Sequence, residues 1–343
     1  MTAEAGSSQQ AGAEAGTVVG FVGLGNMGIP MTRRLVDAGY HVRGFDQSPE
    51  AMGNFAALGS AGPGGVTAVT GLNAVAEGAS AVILMLPDSN IVERVLLGRL
   101  AREPEPAGEG SAKSSDGGLL ASLPRGTTVI DMSSSDPART RELAQRAASA
   151  GMTLIDAPVS GGVAGARAGT LMVMVGGPVE AFERFKPMLS AIGKRVVHAG
   201  EAGAGHAVKA LNNLMSAAHL LASSEALIAG RRFGLDPTVM LEIINGSSGR
   251  SGATENKWPN YILTEKYDAG FALRLMVKDI QLALGIEHAT GVHAAASEAV
   301  VATWEAALAD LPPDADHTAI ARWLETKDGT RSSLPPAEER RAD

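Results

Sequence analysis

Between Thr17 and Gly200 short apolar runs alternate with stretches of helical spacing, and beyond Gly200 the runs stop. That switch limits the possible folds more than any other feature of the chain. The runs are Thr17–Val22, His41–Phe45, Ala81–Leu86, Thr127–Met132, Thr153–Ala157, Leu171–Gly177 and Arg195–Gly200. Several are continuously apolar, the pattern of strands covered on both faces. Helical stretches such as Pro30–Ala38, Ile91–Leu97 and Pro137–Ala150 lie between them. Repeated βα units specify an α/β, doubly wound and mostly parallel sheet of Rossmann-like type. Past Gly200 a long apolar helix is predicted over about 205–233, followed by one that opens at Asp236-Pro237 and stops at Gly246. Further helices over Leu273–Thr290, His293–Leu311 and Thr318–Leu324 complete an all-α C-terminal domain. The 205–233 helix is too apolar to stand exposed, and predicts burial between domains or against another subunit, hence a homodimer or homotetramer.

Composition removes several functional classes. The 343 residues carry 29 Lys plus Arg against 37 Asp plus Glu, a net charge of −8, which argues against a nucleic-acid partner. With no cysteine, disulfides, thiolate metal sites and cysteine nucleophiles are excluded. No two of the histidines form a helical metal pair, so no protein-ligated metal is expected. Residues 1–16 are small and polar, without the basic start of a targeting signal, and read as a disordered tail. No membrane span is expected, and the predicted location is cytoplasmic. Residues 102–118, rich in Gly, Ser, Pro and Glu, read as a flexible insertion, and 327–343 as a second disordered tail.

GFVGLGNMG carries the spacing G-x-G-x-x-G at Gly23, Gly25 and Gly28, directly after a predicted strand and at the opening of a helix. Gly23 allows a tight turn, Gly25 lets the backbone approach a pyrophosphate, and Gly28 lets the helix pack close to the strand. The loop residues Leu24, Asn26 and Met27 then border the phosphates, with the helix N-terminus behind them. The domain plan is therefore a dinucleotide-binding domain over 17–200 and a helical substrate and oligomerisation domain over 201–326. Asp46, about twenty residues on, can accept hydrogen bonds from an adenosine ribose and repel a 2′-phosphate, favouring NAD over NADP. Its alternative is a helix cap, and Arg43 points toward phosphate tolerance. Leu86 and Pro87 close a strand at the sheet's ligand-bearing edge, where Pro87 either borders adenosine or merely ends the strand.

Lys209 lies among Ala, Val, Leu and Met, and Asn213 follows four residues later on the same helical face. A lysine whose pKa is pulled toward neutrality by burial can serve as general base and acid for an alcohol and its carbonyl. The alternative is a surface lysine snorkelling from an amphipathic helix. Ser160, Gly161 and Gly162 make a turn whose consecutive N–H groups suit a carboxylate, or only a loop. Asp136, before Pro137, reads as a helix cap.

Together DAPVSGG at Asp156–Gly162, GAGHAVKALNN at Gly203–Asn213, GLGNMG and VKD at Val277–Asp279 resemble the β-hydroxyacid dehydrogenase family, and within it the 3-hydroxyisobutyrate dehydrogenases. The resemblance covers Thr17 to about Leu311. It implies NAD-dependent, reversible hydride transfer between a small 3-hydroxy acid and the nicotinamide. It also implies Lys209 as the catalytic lysine, Asn213 orienting substrate, and Ser160, Gly161 and Gly162 binding the acid group. Ser133 and Ser134 fall on the nicotinamide side, and Lys278 matches a lysine near the cofactor, or is exposed beside Asp279. Asp136 replaces a serine usual in the family. Substrate selectivity in the family is partly set in the region matching Ile244–Tyr261, where Arg250 and Asn256 are candidates and Trp258 is a contact or a packing anchor. Tartronate semialdehyde reduction, threonate oxidation and a non-catalytic NAD-binding sensor or scaffold are the competing readings.

Overall fold

The structure, a computed structural model, describes residues 17–59, 63–98, 118–312 and 314–327. The tail at 1–16, the insertion up to 117 and the tail beyond 327 lie outside the described residues. The chain divides into two compact units, one ending at Lys209 and the other starting at Ala210.

The first unit is built on strands β1 (Val18–Val22), β2 (His41–Phe45), β3 (Gly65–Ala68), β4 (Ala81–Leu84), β5 (Thr128–Asp131), β6 (Thr153–Asp156), β7 (Val159–Ser160), β8 (Met172–Gly176) and β9 (Arg195–Gly200). Their order is β3-β2-β1-β4-β5-β6-β8-β7, with β9 paired to β8. From β3 to β6 all neighbours are parallel, while β8 runs antiparallel to β6 and β7. Helices α1 (Gly28–Asp37), α2 (Pro49–Ala56), α3 (Ser89–Leu97), α4 (Pro137–Ser149), α5 (Gly162–Ala168) and α6 (Val179–Ile192) connect them. Alternate residues of the central strands enter opposite cores: Val19, Phe21, Ala81 and Ile83 join one cluster, Val22, Val82 and Leu84 the other. Burial on both faces is why these runs read as unbroken apolar sequence. Strand order reverses between β1 and β4, so the segments after their carboxyl ends, 23–28 and 85–88, flank the crevice where open α/β sheets take ligands.

Strand β3 and the two-residue β7 carry too few apolar residues to announce themselves, and neither was anticipated. Both close an end of the sheet path.

The long helix α7 (Ala204–Phe233) crosses the division between the units. It contains no proline and ends in a Schellman turn, where Leu235 N–H reaches Gly230 carbonyl (2.9 Å) and Gly234 takes φ +98°. The second unit continues with α8 (Pro237–Asn245), α9 (Leu273–Ala289), α10 (Ala295–Asp310) and α11 (Ile320–Lys327). Leu214, Leu220, Trp258, Leu273, Ile280 and Trp304 are among its core residues. Three helices open with one local grammar: Ser48, Asp136 and Asp236 accept backbone N–H bonds just before Pro49, Pro137 and Pro237. Asp136 is thus the cap that its place before Pro137 implied.

The polar stretch Ile244–Tyr261 runs into a π-helix, Ala253–Ile262, with Leu263 N–H bonded to Trp258 carbonyl at 2.9 Å. Pro259 and the polar composition mask its periodicity. Among the described residues no helix is long and apolar enough to cross a membrane.

Candidate active site

The glycine loop after β1 divides its three positions by space. A Cβ on Gly23 (φ +98°) would fall 2.2 Å from Met85 carbonyl oxygen, and one on Gly28 2.0 Å from Gly23 carbonyl oxygen. Neither position admits a side chain. A Cβ on Gly25 would meet nothing within 4 Å, and Gly25 and Asn26 are exposed. Leu24 is buried and Met27 half-buried. The first turn of α1 has no side-chain cap. An open glycine beside an uncapped helix start is a fitting cradle for a pyrophosphate.

Asp46 anchors this loop, its Oδ2 accepting Leu24 N–H (2.7 Å) and its Oδ1 accepting Ser48 N–H (2.8 Å). Helix α2 is capped by Ser48 rather than Asp46. The carboxylate keeps lone pairs on a half-buried side chain at the end of β2, where a ribose binds in such sheets. Arg43 is turned elsewhere: its Nε donates to Ala74 carbonyl (2.9 Å) and its guanidinium pairs with Glu77 (2.5 Å). The cation that could have favoured a 2′-phosphate is thereby committed to a carboxylate.

After β4, Leu86 N–H donates to Ser133 Oγ (3.0 Å), joining the loop after β4 to the loop after β5, while Pro87 is exposed. Ser133 is wholly buried, so its hydroxyl supports Leu86 from beneath. Asp131 shapes that second loop, accepting Ser133 N–H (3.0 Å) and the Ser135 hydroxyl (3.0 Å).

The start of α7 rests on a carboxylate from DAPVSGG whose role no local pattern marks. Asp156, fully buried, accepts Gly203 N–H (2.7 Å) and His206 N–H (2.8 Å), placing negative charge at the positive end of the helix. Gly205 permits this approach, since a Cβ there would lie 2.8 Å from Asp156 Oδ2 and 2.2 Å from Met174 carbonyl oxygen. Lys209 follows within the next turn and is buried, 8% exposed. Asn213, one turn further, is buried too and donates from Nδ2 to Asp279 Oδ2 (2.7 Å). Lys278 Nζ sits 3.2 Å from Asp279 Oδ1 without hydrogen-bond geometry, its side chain 24% exposed. Asp279, the last residue of VKD, thus holds the Asn213 amide.

Ser160 ends β7, and Gly161 (φ +131°) and Gly162 (φ +62°) follow with left-handed backbones before α5. Such a turn needs glycine at both places and turns successive N–H groups to one side. Arg250 is exposed beside Glu255 (3.8 Å), Asn256 accepts a bond from Asn260 (2.8 Å), and Trp258 is a core side chain.

The sheet order, the divided glycine loop and the acidic end of β2 define a dehydrogenase built on a nicotinamide dinucleotide site. Residues 18–200 match the family described as the NAD binding domain of 6-phosphogluconate dehydrogenase, and residues 203–324 that described as NAD-binding of NADP-dependent 3-hydroxyisobutyrate dehydrogenase. The 3-hydroxyisobutyrate dehydrogenase of Pseudomonas aeruginosa is 41% identical over 274 residues, 78% of this chain and 84% of that protein. The 2-(hydroxymethyl)glutarate dehydrogenase of Eubacterium barkeri is 40% identical over 266 residues, 78% of this chain and 81% of its own. The structure of Mycobacterium tuberculosis 3-hydroxyisobutyrate dehydrogenase with L-serine superposes with a TM-score of 0.77 at 33% identity, over 90% of this chain and 99% of that one. The chain belongs to the β-hydroxyacid dehydrogenase family. It is an NAD(P)-dependent hydroxyacid dehydrogenase.

Proposed function

We propose that the protein oxidises 3-hydroxyisobutyrate, or a 3-hydroxy acid of similar size, reversibly to the semialdehyde, with Lys209 as general base and acid. The observation that carries this reading is a lysine kept from solvent within the first turns of α7, with the similarly buried Asn213 one turn on. Bound NAD supplies the carbon that accepts the hydride. Lys209 Nζ takes the hydroxyl proton as the substrate C–H bond breaks, and returns it to the carbonyl oxygen in reduction. Asn213, its amide oriented by Asp279, positions the substrate, and the Ser160-Gly161-Gly162 turn receives the carboxylate on its N–H groups. Gly23, Leu24, Gly25, Asn26, Met27 and Gly28 hold the pyrophosphate, Asp46 the ribose, and Leu86 and Pro87 border the cofactor with Ser133 beneath them. The match of VKD to the family supports a cofactor role for Lys278 as well.

Lys209→Ala is expected to lower kcat at least ~10²-fold while NADH affinity stays within about twofold. Near-normal turnover in that variant overturns the assignment. Substrate choice is decided by kcat/KM over a panel of 3-hydroxyisobutyrate, L-serine, 2-(hydroxymethyl)glutarate, threonate and, in reduction, tartronate semialdehyde. A preference of at least ~10-fold for 3-hydroxyisobutyrate is expected, and a faster polar acid replaces it. Tight NADH binding without turnover of any acid would instead mark a sensor.

Self-association is part of the same reading. Phe233, Leu235, Val239 and Ile243 are large apolar side chains at 49–85% exposure at the end of α7 and along α8, a surface suited to a second copy.

A further inference from the structure

His206 is fully buried, belongs to no role assigned above, and sits three residues before Lys209. Its Nε2 lies 3.0 Å from Ser133 carbonyl oxygen, which can only accept, so Nε2 carries a proton. Its Nδ1 faces Thr140 Oγ1 at 2.9 Å, and carboxylate oxygens of Asp131 and Asp156 each stand 3.8 Å from the ring. A buried imidazole among two carboxylates is a costly way to fill space that an apolar side chain could fill. Its position explains the choice. The two N–H bonds to Asp156 come from the backbone of Gly203 and His206, and survive any residue at 206. What the ring alone adds is a sideways tie from α7 to Ser133, whose hydroxyl in turn holds Leu86 N–H after β4 (3.0 Å).

We propose that His206 is a positioning residue for the proton-transfer step, fixing the first turn of α7, and with it Lys209, against the 131–135 loop and the Leu86-Pro87 segment that flank the ligand crevice. Without the ring, Ser133 carbonyl loses that donor, and the first turn of α7 keeps its axial anchor on Asp156 but loses the sideways one. Helix and loop can then slide by a fraction of an ångström, enough to misplace a proton acceptor. Leu86 and Pro87 border the cofactor, but the glycine loop and Asp46, which hold its pyrophosphate and ribose, lie outside this tie, so dinucleotide affinity changes far less than kcat. The inference rests on the assignment of Lys209 above.

The test uses the full chain with Leu, Gln and Asn at 206 and Ala at 209, each titrated with NADH by fluorescence and assayed on the fastest acid of the panel. Leucine matches the volume without a donor. Glutamine brings an N–H to about the same reach, with an oxygen for Thr140. Asparagine falls one methylene short. Per NADH-binding site, His206→Leu is expected to lose at least ~10-fold in kcat with NADH Kd within about twofold, and His206→Gln to return to within about threefold of the parent. His206→Asn repeats the leucine result and stands in for it should that variant not fold. A purely structural histidine predicts a lowered melting temperature and fewer binding sites, but unchanged kcat per site. That outcome, equal losses in the glutamine and leucine variants, or a loss of NADH affinity matching that of kcat, overturns the proposal. Lys209→Ala separates the two claims: full activity there removes the base itself, whereas an inactive Lys209→Ala beside a fully active His206→Leu removes only the tie.

Discussion

At the scale of single residues, the glycine fingerprint separates folding from binding. Gly28→Ala drives a methyl into a backbone oxygen 2.0 Å away, and is expected to cost on the order of 1–3 kcal/mol by pushing α1 off β1. Gly25→Ala meets open space and asks for no left-handed backbone. Its melting temperature is expected within about 2 °C of the parent, while NADH Kd rises at least ~10-fold because the methyl occupies the phosphate's approach. Differential scanning fluorimetry and NADH titration check both variants. Equal effects on stability and affinity in the two would show that Gly25 is a turn residue only. Sequence spacing named all three glycines, yet the clearance around each is a tertiary fact. Arg43 makes the same point, since only the fold reveals that Glu77 claims it.

At the scale of elements, the start of α11 is tied to the approach to α9 by one carboxylate. Asp316 accepts N–H bonds from Gly270 (2.8 Å), Phe271 (3.1 Å) and Thr318 (2.9 Å), and the Thr318 hydroxyl (2.5 Å). Burial alone would raise its pKa, but the donors of His317 and Thr318 outweigh it and hold the carboxyl well below the usual range. Burial also pushes the neighbouring His317 down. For each group the unfolded chain binds a proton at a pH where the folded chain does not, so stability rises with pH across that window. The stabilisation is complete above about pH 6.5, falls first as His317 charges, then below about pH 4 as Asp316 protonates. Urea midpoints measured from pH 7 to pH 3 should decline, and Asp316→Asn should flatten the part below about pH 4. An unchanged slope there refutes the assignment. Helix caps such as Asp236-Pro237 were legible because they act within four residues of chain; this clamp joins residues 46 apart and left no local mark.

At the scale of the whole molecule, the apolar face carrying Phe233 (85% exposed) and Ile243 (64%) calls for a partner. Sedimentation at micromolar concentration is expected to give a dimer or larger species. Phe233→Glu combined with Ile243→Lys should shift it toward the monomer with little change in the melting temperature of the isolated chain. A monomeric parent protein contradicts the reading. The sequence predicted a long helix needing cover; in the fold, large apolar side chains stay exposed on it at Val208, Met215 and Phe233 and continue onto α8.

What the sequence determined by itself is whatever depends on short range. Period gives strand and helix, a Gly or an Asp-Pro pair gives a boundary, and four motifs in order give the family. The same motifs are what name Lys209, Asn213 and the Ser160 turn as candidates. The tertiary structure alone decided which polar groups meet once buried: Asp156 under α7, Asp279 behind Asn213, His206 against Ser133. Their partners lie 50, 66 and 73 residues away. A buried donor must find its acceptor wherever folding brings one, and no local pattern records that distance.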